Sequence, residues 1–167
     1  NLTTCTSEEE IYQTLSLPYY IPEIREGLLE AKYATEKETP LFIEYTDLKG
    51  CLHNHSTYSD GIHSLKEMAN AALDLGLTYF GICDHSKSAG YANGLSIERV
   101  LQQHQEIDLL NKEYTSFKIF KGIESDILSD GSLDYPNEIL ASFDFIVASV
   151  HSGLKMDEEK ATTRLIN

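Results

Sequence analysis

The stretch that decides the fold of this chain is Cys51-Leu-His53-Asn-His55-Ser-Thr-Tyr-Ser-Asp60-Gly61. The largely apolar run before it, Leu48 to Leu52, predicts a buried strand that ends at the histidines. Alternate residues of a strand point the same way, so His53 and His55 can aim two ring nitrogens at one point. Asp60-Gly61 is a turn signal that lets Asp60 face the same pocket. Two histidines and one aspartate near one strand end favour a site for zinc or another transition metal.

Apolar strands and helical patterns alternate after this stretch. The predicted elements are a helix from Ser64 to Gly76, a strand at Thr78–Cys83, a long helix from Ser96, a strand at Phe117–Ile123, a helix at Tyr135–Ala141, a strand at Phe143–Val150 and a helix at Asp157–Ile166. Nearly continuous apolar strands that alternate with helices predict an α/β fold with parallel strands. In the long helix, we expect the face that carries Ile97, Val100, Leu101 and Ile107 to pack against the sheet.

Each predicted strand is followed by a residue that can bind a metal. His85 follows the second strand, Glu124 the third and His151 the fourth. In parallel sheets and barrels, ligands bind at the carboxyl ends of the strands. One histidine at a strand end could equally be a core residue, but agreement among four strands favours a shared metal site. We do not expect His63, which follows the turn, or His104, which lies on a helix face, to be ligands.

Residues 1–46 show no catalytic spacing, and we interpret them as a lead-in to the part formed by residues 47–167. The elements predicted in the lead-in are a helix after the Ser7-Glu8-Glu9-Glu10 capping box, a second short helix at Pro22, a polar linker at 32–40 and a strand at 41–45.

The acidic composition limits the function. A chain of 167 residues with 41% apolar content can form one core, and its net charge is −14. Such a protein does not bind phosphate backbones through a general basic surface, so bound metal would have to supply positive charge to a phosphate substrate. Alternatively, the acidic residues only form a solvated surface.

The cysteines and the hydropathy predict the compartment. Cys5, Cys51 and Cys83 are odd in number and form no C-x-x-C motif, which favours the reducing cytoplasm. We interpret Cys51 and Cys83 as core residues, with zinc ligation by Cys83 as the alternative. No apolar run is long enough to span a bilayer, so no membrane partner is expected.

Together, the motifs resemble those of the PHP family, named for polymerase and histidinol phosphatase. They are His53-Asn54-His55, Ser59-Asp60-Gly61, Asp84-His85, Gly122-Ile123-Glu124 and Ser149-Val150-His151. The resemblance extends from about Gly50 to the C-terminus and implies part of a distorted (β/α)7 barrel. It also implies up to three divalent metals, with manganese, zinc or iron as candidates.

The resemblance implies a role for each motif residue. His53 and His55 would bind a first metal, and Glu124 would bridge it to a second that His151 also binds. Asp60 and His85 would hold a third. Catalysis would pass through these metals, which activate water and neutralise phosphoryl oxygens.

Two further residues are assigned roles outside the ligand set. Asp84 would orient a ligand from outside the metal sphere. Lys87 would contact a substrate phosphate, or it is an ordinary surface lysine.

Two departures from the family pattern do not touch the ligands. Cys51 stands where an aspartate is common, and Cys83 stands where a threonine is common.

A later histidine and a D-x-H pair, which the family takes from strands beyond the fourth, are absent from this sequence. We therefore expect a truncated barrel without its C-terminal strands, which is nearly inactive and forms a dimer or a larger assembly.

A closer resemblance is to the bacterial family X DNA polymerases, in which a segment similar to Glu9-Glu-Ile-Tyr12 and Ile21-Pro-Glu-Ile-Arg-Glu26 precedes the PHP domain. It implies metal-dependent 3′→5′ exonuclease activity or 3′-end processing of DNA, with a polymerase domain in cis. Two alternatives are a small-molecule phosphatase resembling histidinol phosphatase and a non-catalytic, structural PHP domain of a polymerase.

Overall fold

The computed structural model describes residues 4–28, 30, 32 and 41–166. The chain divides into two compact units, Asn1–Ile43 and Glu44–Asn167. The boundary predicted between residues 46 and 47 stays a prediction. The linker predicted at 32–40 lies outside the described residues, apart from Lys32.

Among the residues of the first unit that the structure describes, one short helix and one 3-10 turn have defined bounds. Helix α1 (Glu8–Thr14) begins at Ser7, whose hydroxyl accepts a hydrogen bond from the Glu10 amide. The second predicted helix is a single 3-10 turn at Pro22–Ile24. Arg25 then forms an ion pair with Glu8, with 2.8 Å between Nη2 and Oε2.

The strand predicted at 41–45 is wrong. Residues 41–44 have no regular secondary structure, and Tyr45–Asp47 form a 3-10 turn in which Glu44 and Asp47 cap each other. Leu41 and Ile43 are fully or largely exposed. Apolar residues that bury nothing gain little from strand pairing, and the reciprocal cap satisfies the polar backbone groups instead.

The second unit is built on four parallel strands in the order β1-β2-β3-β4, which curl into a half-barrel with helices. The strands are β1 (Gly50–Asn54), β2 (Tyr79–Ile82), β3 (Lys118–Asp126) and β4 (Phe145–Ser149). The helices are α2 (Leu65–Asp74), α3 (Ile97–Glu113), α4 (Asn137–Leu140) and α5 (Glu158–Ile166). The predicted parallel α/β fold and partial barrel are confirmed. None of the helices among the described residues combines the length and apolar content that crossing a membrane requires.

Helix α2 shows how local sequence sets these elements. The Ser64 hydroxyl accepts from the Glu67 amide while the Glu67 carboxylate accepts from the Ser64 amide, which forms the predicted capping box. Gly76, at φ +78°, follows the helix in a conformation that glycine adopts readily. Leu65 and Ala69 on this helix pack into the core with Phe80 of β2.

The predicted face of α3 is wrong at Leu101. The buried residues of this helix are Val100, Gln103, His104, Ile107 and Leu110. Leu101 is 47% exposed. The buried positions follow the i, i+3, i+4, i+7 spacing that starts at Val100, and the next residue along the chain lies about 100° around the helix from that line.

Candidate metal centre

Glu124 is the acceptor on which several histidine rings converge. Its Oε2 lies 3.3 Å from His53 Nε2 and 3.4 Å from His55 Nε2. The same oxygen lies 3.2 Å from His85 Nδ1. The other oxygen, Oε1, lies 3.1 Å from His151 Nε2. The Glu124 side chain is 8% exposed, so these nitrogens surround a largely desolvated carboxylate.

A backbone kink positions the first two histidines. His53 has φ +67°, and the pairing register between β1 and β2 shifts between Cys51 and Asn54. His55 follows the last residue of β1. The prediction that regular strand alternation aligns His53 and His55 is therefore wrong, although both ring nitrogens do reach Glu124.

The loop after β1 brings Asp60 to the cluster, as the Asp-Gly turn predicts. The Ser59 and Gly61 amides both donate to the Ser56 carbonyl, which closes the loop. Asp60 Oδ1 then lies 3.1 Å from His55 Nδ1. A Cβ at Gly61 would collide with the His55 carbonyl, so this tight turn requires glycine.

Asp126 belongs to the cluster and was missed in the sequence. Glu124 does not end its strand, because β3 continues to Asp126. Asp126 Oδ1 lies 2.9 Å from His151 Nδ1. The signal was available, because residues two apart on a strand face the same side and Asp126 follows Glu124 by two.

All six predicted ligands come together. Their donor atoms form three overlapping groups, and within each group these atoms lie within 4.8 Å of one another. The groups are His53, His55 and Glu124; His55, Asp60 and His85; and His85, Glu124 and His151. The family resemblance paired His85 with Asp60 alone, whereas the structure also places it beside Glu124 and His151.

The donor set fits divalent cations better than it fits a hydrogen-bond network. Both ring nitrogens of His55 and of His151 face carboxylate oxygens. Hydrogen bonds at all four positions would require two imidazolium cations in a crowded cluster, where the rings of His85 and His55 are 4.5 Å apart. The buried His85 Nδ1 lies 3.2 Å from Glu124 Oε2 but has no hydrogen-bond partner among the described residues. Imidazole and carboxylate donors suit zinc, manganese and iron.

The electrostatics of two central residues agree with this fit. Burial raises the pKa of Glu124, but the hydrogen bond from His53 and the nearby histidines outweigh it and hold the pKa below 4.5. Burial lowers the pKa of His85 below 6.5, partly opposed by Glu124. Near neutral pH the cluster thus offers a carboxylate anion and a neutral imidazole, which are the forms that bind metals.

Asp84 contacts the ligand-bearing loop and none of the candidate ligand side chains. Its buried carboxylate accepts from the Ser56 amide at 2.7 Å and from the Ser56 hydroxyl at 2.6 Å. It also accepts from the Ser59 hydroxyl at 2.5 Å and from Gln103 of α3 at 2.6 Å. Asp84 thereby fixes the segment between His55 and Asp60, and Gln103 is a supporting residue that the sequence did not reveal.

The remaining candidates lie apart from the donor groups. The Lys87 ammonium is 5.8 Å from the centroid of the Tyr135 ring. Cys83 is fully buried, burial raises the pKa of its thiol to about 12, and it joins none of the groups found among the described residues. His63 is exposed, and His104 is buried on α3. As predicted from the sequence, neither belongs to a donor group in the described part of the chain.

One aromatic residue beside the cluster was also missed. The ring centroid of Tyr91 lies 5.8 Å from that of His85 and 6.2 Å from that of His151. It occupies a short 3-10 turn, Gly90–Ala92, in the loop between β2 and α3.

Comparison with known proteins identifies the family of this fold and cluster. The family model of the PHP domain matches residues 52–165. The chain belongs to the PHP family. The DNA polymerase/3′-5′ exonuclease PolX of Bacillus subtilis (strain 168) is 45% identical over 164 residues, which are 98% of this chain and 28% of that protein. A "Probable phosphatase" of Acetivibrio thermocellus is 32% identical over 104 residues, 59% of this chain and 39% of that protein.

These relatives confirm the predicted PHP resemblance and its link to the family X polymerases. The chain spans less than half the length of either curated relative. One relative is named as an exonuclease and the other as a probable phosphatase. Together with the match to the PHP domain, these names place the chain in a hydrolase family. The PHP histidine–carboxylate cluster could bind metal.

Proposed function

We propose that this PHP domain hydrolyses phosphoesters at the cluster around Glu124, using divalent cations held by the six predicted ligands. The observation that carries the proposal is the set of three overlapping donor groups, two of which contain the buried Glu124 carboxylate. At such a site, divalent cations supply an acidified water and neutralise the phosphoryl oxygens. No separate general base is needed.

Five of the candidate ligands and Asp126 have distinct roles in the proposed site. His53, His55 and Glu124 form the first donor group, and His85 and His151 complete a group on the other side of Glu124. Asp126 holds His151 through Nδ1 at 2.9 Å, which leaves Nε2 directed at Glu124.

The favoured substrate is the 3′ end of DNA, with 3′→5′ exonuclease or end-processing activity inside a longer family X polymerase. The support is the similarity to PolX over 98% of this chain. A polymerase domain in cis would supply the DNA-binding surface that a net charge of −14 does not.

A small-molecule phosphatase is the second candidate, because a relative named as a probable phosphatase is 32% identical over 104 residues. The structural, non-catalytic alternative is disfavoured because all six predicted ligands are present and belong to the three donor groups.

The proposal also includes the predicted metal cofactors, the predicted oligomeric state and the predicted cellular compartment. Imidazole and carboxylate donors do not distinguish manganese, zinc and iron, and three overlapping groups are compatible with up to three ions. Strand β4 is an outer strand of the four-stranded sheet among the described residues, and an exposed edge that can pair with another chain supports the predicted dimer or larger assembly. The free Cys5, Cys51 and Cys83 support a cytoplasmic location. Lys87 as a phosphate contact stays a prediction.

The test compares Glu124→Gln with the control His63→Ala, which changes an exposed histidine outside the cluster. Both variants and the wild type, each within the full-length protein, are assayed in manganese on an oligonucleotide 3′ end and on histidinol phosphate. We expect 3′-end hydrolysis by the wild type and the control, and a loss of at least about a hundredfold in Glu124→Gln. Hydrolysis of histidinol phosphate alone would establish the phosphatase instead. Equal activity of Glu124→Gln and wild type would refute the proposed site.

A further inference from the structure

An exposed aromatic ring, that of Tyr91, lies beside the candidate metal centre. Tyr91 is 72% exposed. Its ring nevertheless lies against His85 and His151, with centroids 5.8 Å and 6.2 Å away. Both histidines share a donor group with Glu124. A ligand whose phosphate reached this group would therefore meet the Tyr91 ring.

The backbone beneath Tyr91 is fixed, so its exposure is built into the loop. The flanking residues Ala89 and Ala92 are 0% and 2% exposed. The Gly94 amide donates to the Ala89 carbonyl at 3.0 Å and closes the turn. The following Leu95 amide donates to the His85 carbonyl at 2.8 Å, which ties the loop directly to a candidate ligand.

Neighbouring tyrosines have structural partners that Tyr91 lacks. The Tyr58 hydroxyl donates to Glu106 at 2.8 Å, and the Tyr135 hydroxyl donates to the Leu95 carbonyl at 2.5 Å. Within the described part of the chain, the Tyr91 hydroxyl has no hydrogen-bond partner. Neither burial of the ring nor a hydrogen bond from the hydroxyl therefore explains why a tyrosine occupies position 91.

We propose that the Tyr91 ring stacks on the nucleobase next to the phosphate held at the metal centre. The inference rests on the proposed function and narrows its substrate class to nucleotide esters. Stacking on an aromatic side chain accepts any base and needs no positive charge on the protein. That suits a chain with net charge −14, in which the nearby Lys87 ammonium lies over Tyr135.

The experiment measures equilibrium binding by calorimetry to the 167-residue chain in manganese. The ligands are thymidine 5′-monophosphate and 2-deoxyribose 5-phosphate, which differ by the base alone. The proteins are wild type, Tyr91→Leu, which removes the ring, and Tyr91→Phe, which keeps the ring and removes the hydroxyl. We expect wild type and Tyr91→Phe to bind the nucleotide at least about tenfold more tightly than the sugar phosphate, and Tyr91→Leu to lose this preference.

Two results would overturn the proposal. One is a wild type that does not prefer the nucleotide, and the other is a Tyr91→Leu variant whose preference matches that of wild type. Hydrolysis of an oligonucleotide 3′ end is measured separately with the full-length protein, because the 167-residue chain is expected to be nearly inactive. Absence of hydrolysis together with base-dependent binding would contradict the proposed exonuclease and leave the stacking role supported.

Discussion

Gly61 determines whether the loop that carries Asp60 can close against His55. A Cβ at this position would collide with the His55 carbonyl, so Gly61→Ala must displace the loop. We expect a loss of about 1–3 kcal/mol in the free energy of unfolding, with weaker metal binding. Gly90→Ala is the matched control, because its added Cβ meets nothing within 4 Å. Chemical denaturation measures both, and equal stability of the two variants would show that the loop has room to adapt.

His104 should make stability depend on pH. Burial lowers its pKa below 6.5, Lys121 lowers it further, and Asp108 and Asp144 oppose the shift. The unfolded chain takes up this proton near pH 6.5 and the folded chain only at lower pH. The stability from neutral His104 is therefore full above pH 6.5 and is lost as the pH falls through the lowered pKa.

The test replaces His104 by phenylalanine, which keeps a ring against Phe143 and removes a buried Nε2 that has no hydrogen-bond partner among the described residues. Unfolding free energies from about pH 7.5 to about pH 5 should fall less steeply in His104→Phe than in wild type. The control, His63→Phe, changes an exposed histidine and should keep the wild-type slope. Parallel slopes for wild type and His104→Phe would contradict the assignment.

Sequence reasoning predicted that the six candidate ligands would lie close together and named Asp84 as a supporting residue, but it missed Gln103 and Asp126. The four histidines and Glu124 lie at or near the C-terminal end of an apolar strand, and parallel strands bring such positions to one edge. Asp60 lies in the loop after β1 and reaches the cluster through the Asp-Gly turn. Support by Asp84 and Gln103 depends on how a loop and a helix pack together, at a sequence separation of 19 residues. No local pattern encodes that contact. Asp126, in contrast, was predictable from alternation along β3.

Helix α3 gives the sharpest test at the level of the elements. Ile107 is fully buried against the β-strands, whereas Leu101 is 47% exposed. Ile107→Ala should cost about 2–5 kcal/mol in unfolding free energy, and Leu101→Ala should cost well under half as much. Denaturant titration of the two alanine variants decides the point. A larger loss for Leu101→Ala would mean that the helix is rotated and that the sequence-based face was right.

The elements that sequence placed well carry their own start and stop signals. Ser64 and Glu67 cap α2, and Ser96 caps α3, so both helices begin where predicted. The predictions failed where tertiary context decides. His53 has φ +67°, a conformation that is uncommon in non-glycine residues and that the strand-like pattern around it did not predict. Residues 41–45 have a strand-like sequence, but they pair with no strand in the part of the chain that the structure describes.

In the whole molecule, 27 acidic residues outnumber 13 basic ones. Such a chain repels a polyanion except where cations are bound. The C-terminal ends of β1, β2, β3 and β4 bring the donors of the three groups together. Under the proposed function, substrate capture and catalysis therefore both depend on metal held by these donors.

The metal content of the purified chain tests this claim most directly. Elemental analysis after dialysis is applied to wild type, to the double variant His53→Ala/His55→Ala and to His63→Ala, which removes an exposed imidazole outside the donor groups. We predict that wild type and His63→Ala retain at least one divalent ion per chain and that the double variant loses the ion at the first donor group. Equal metal content in all three proteins would contradict the proposed metal centre.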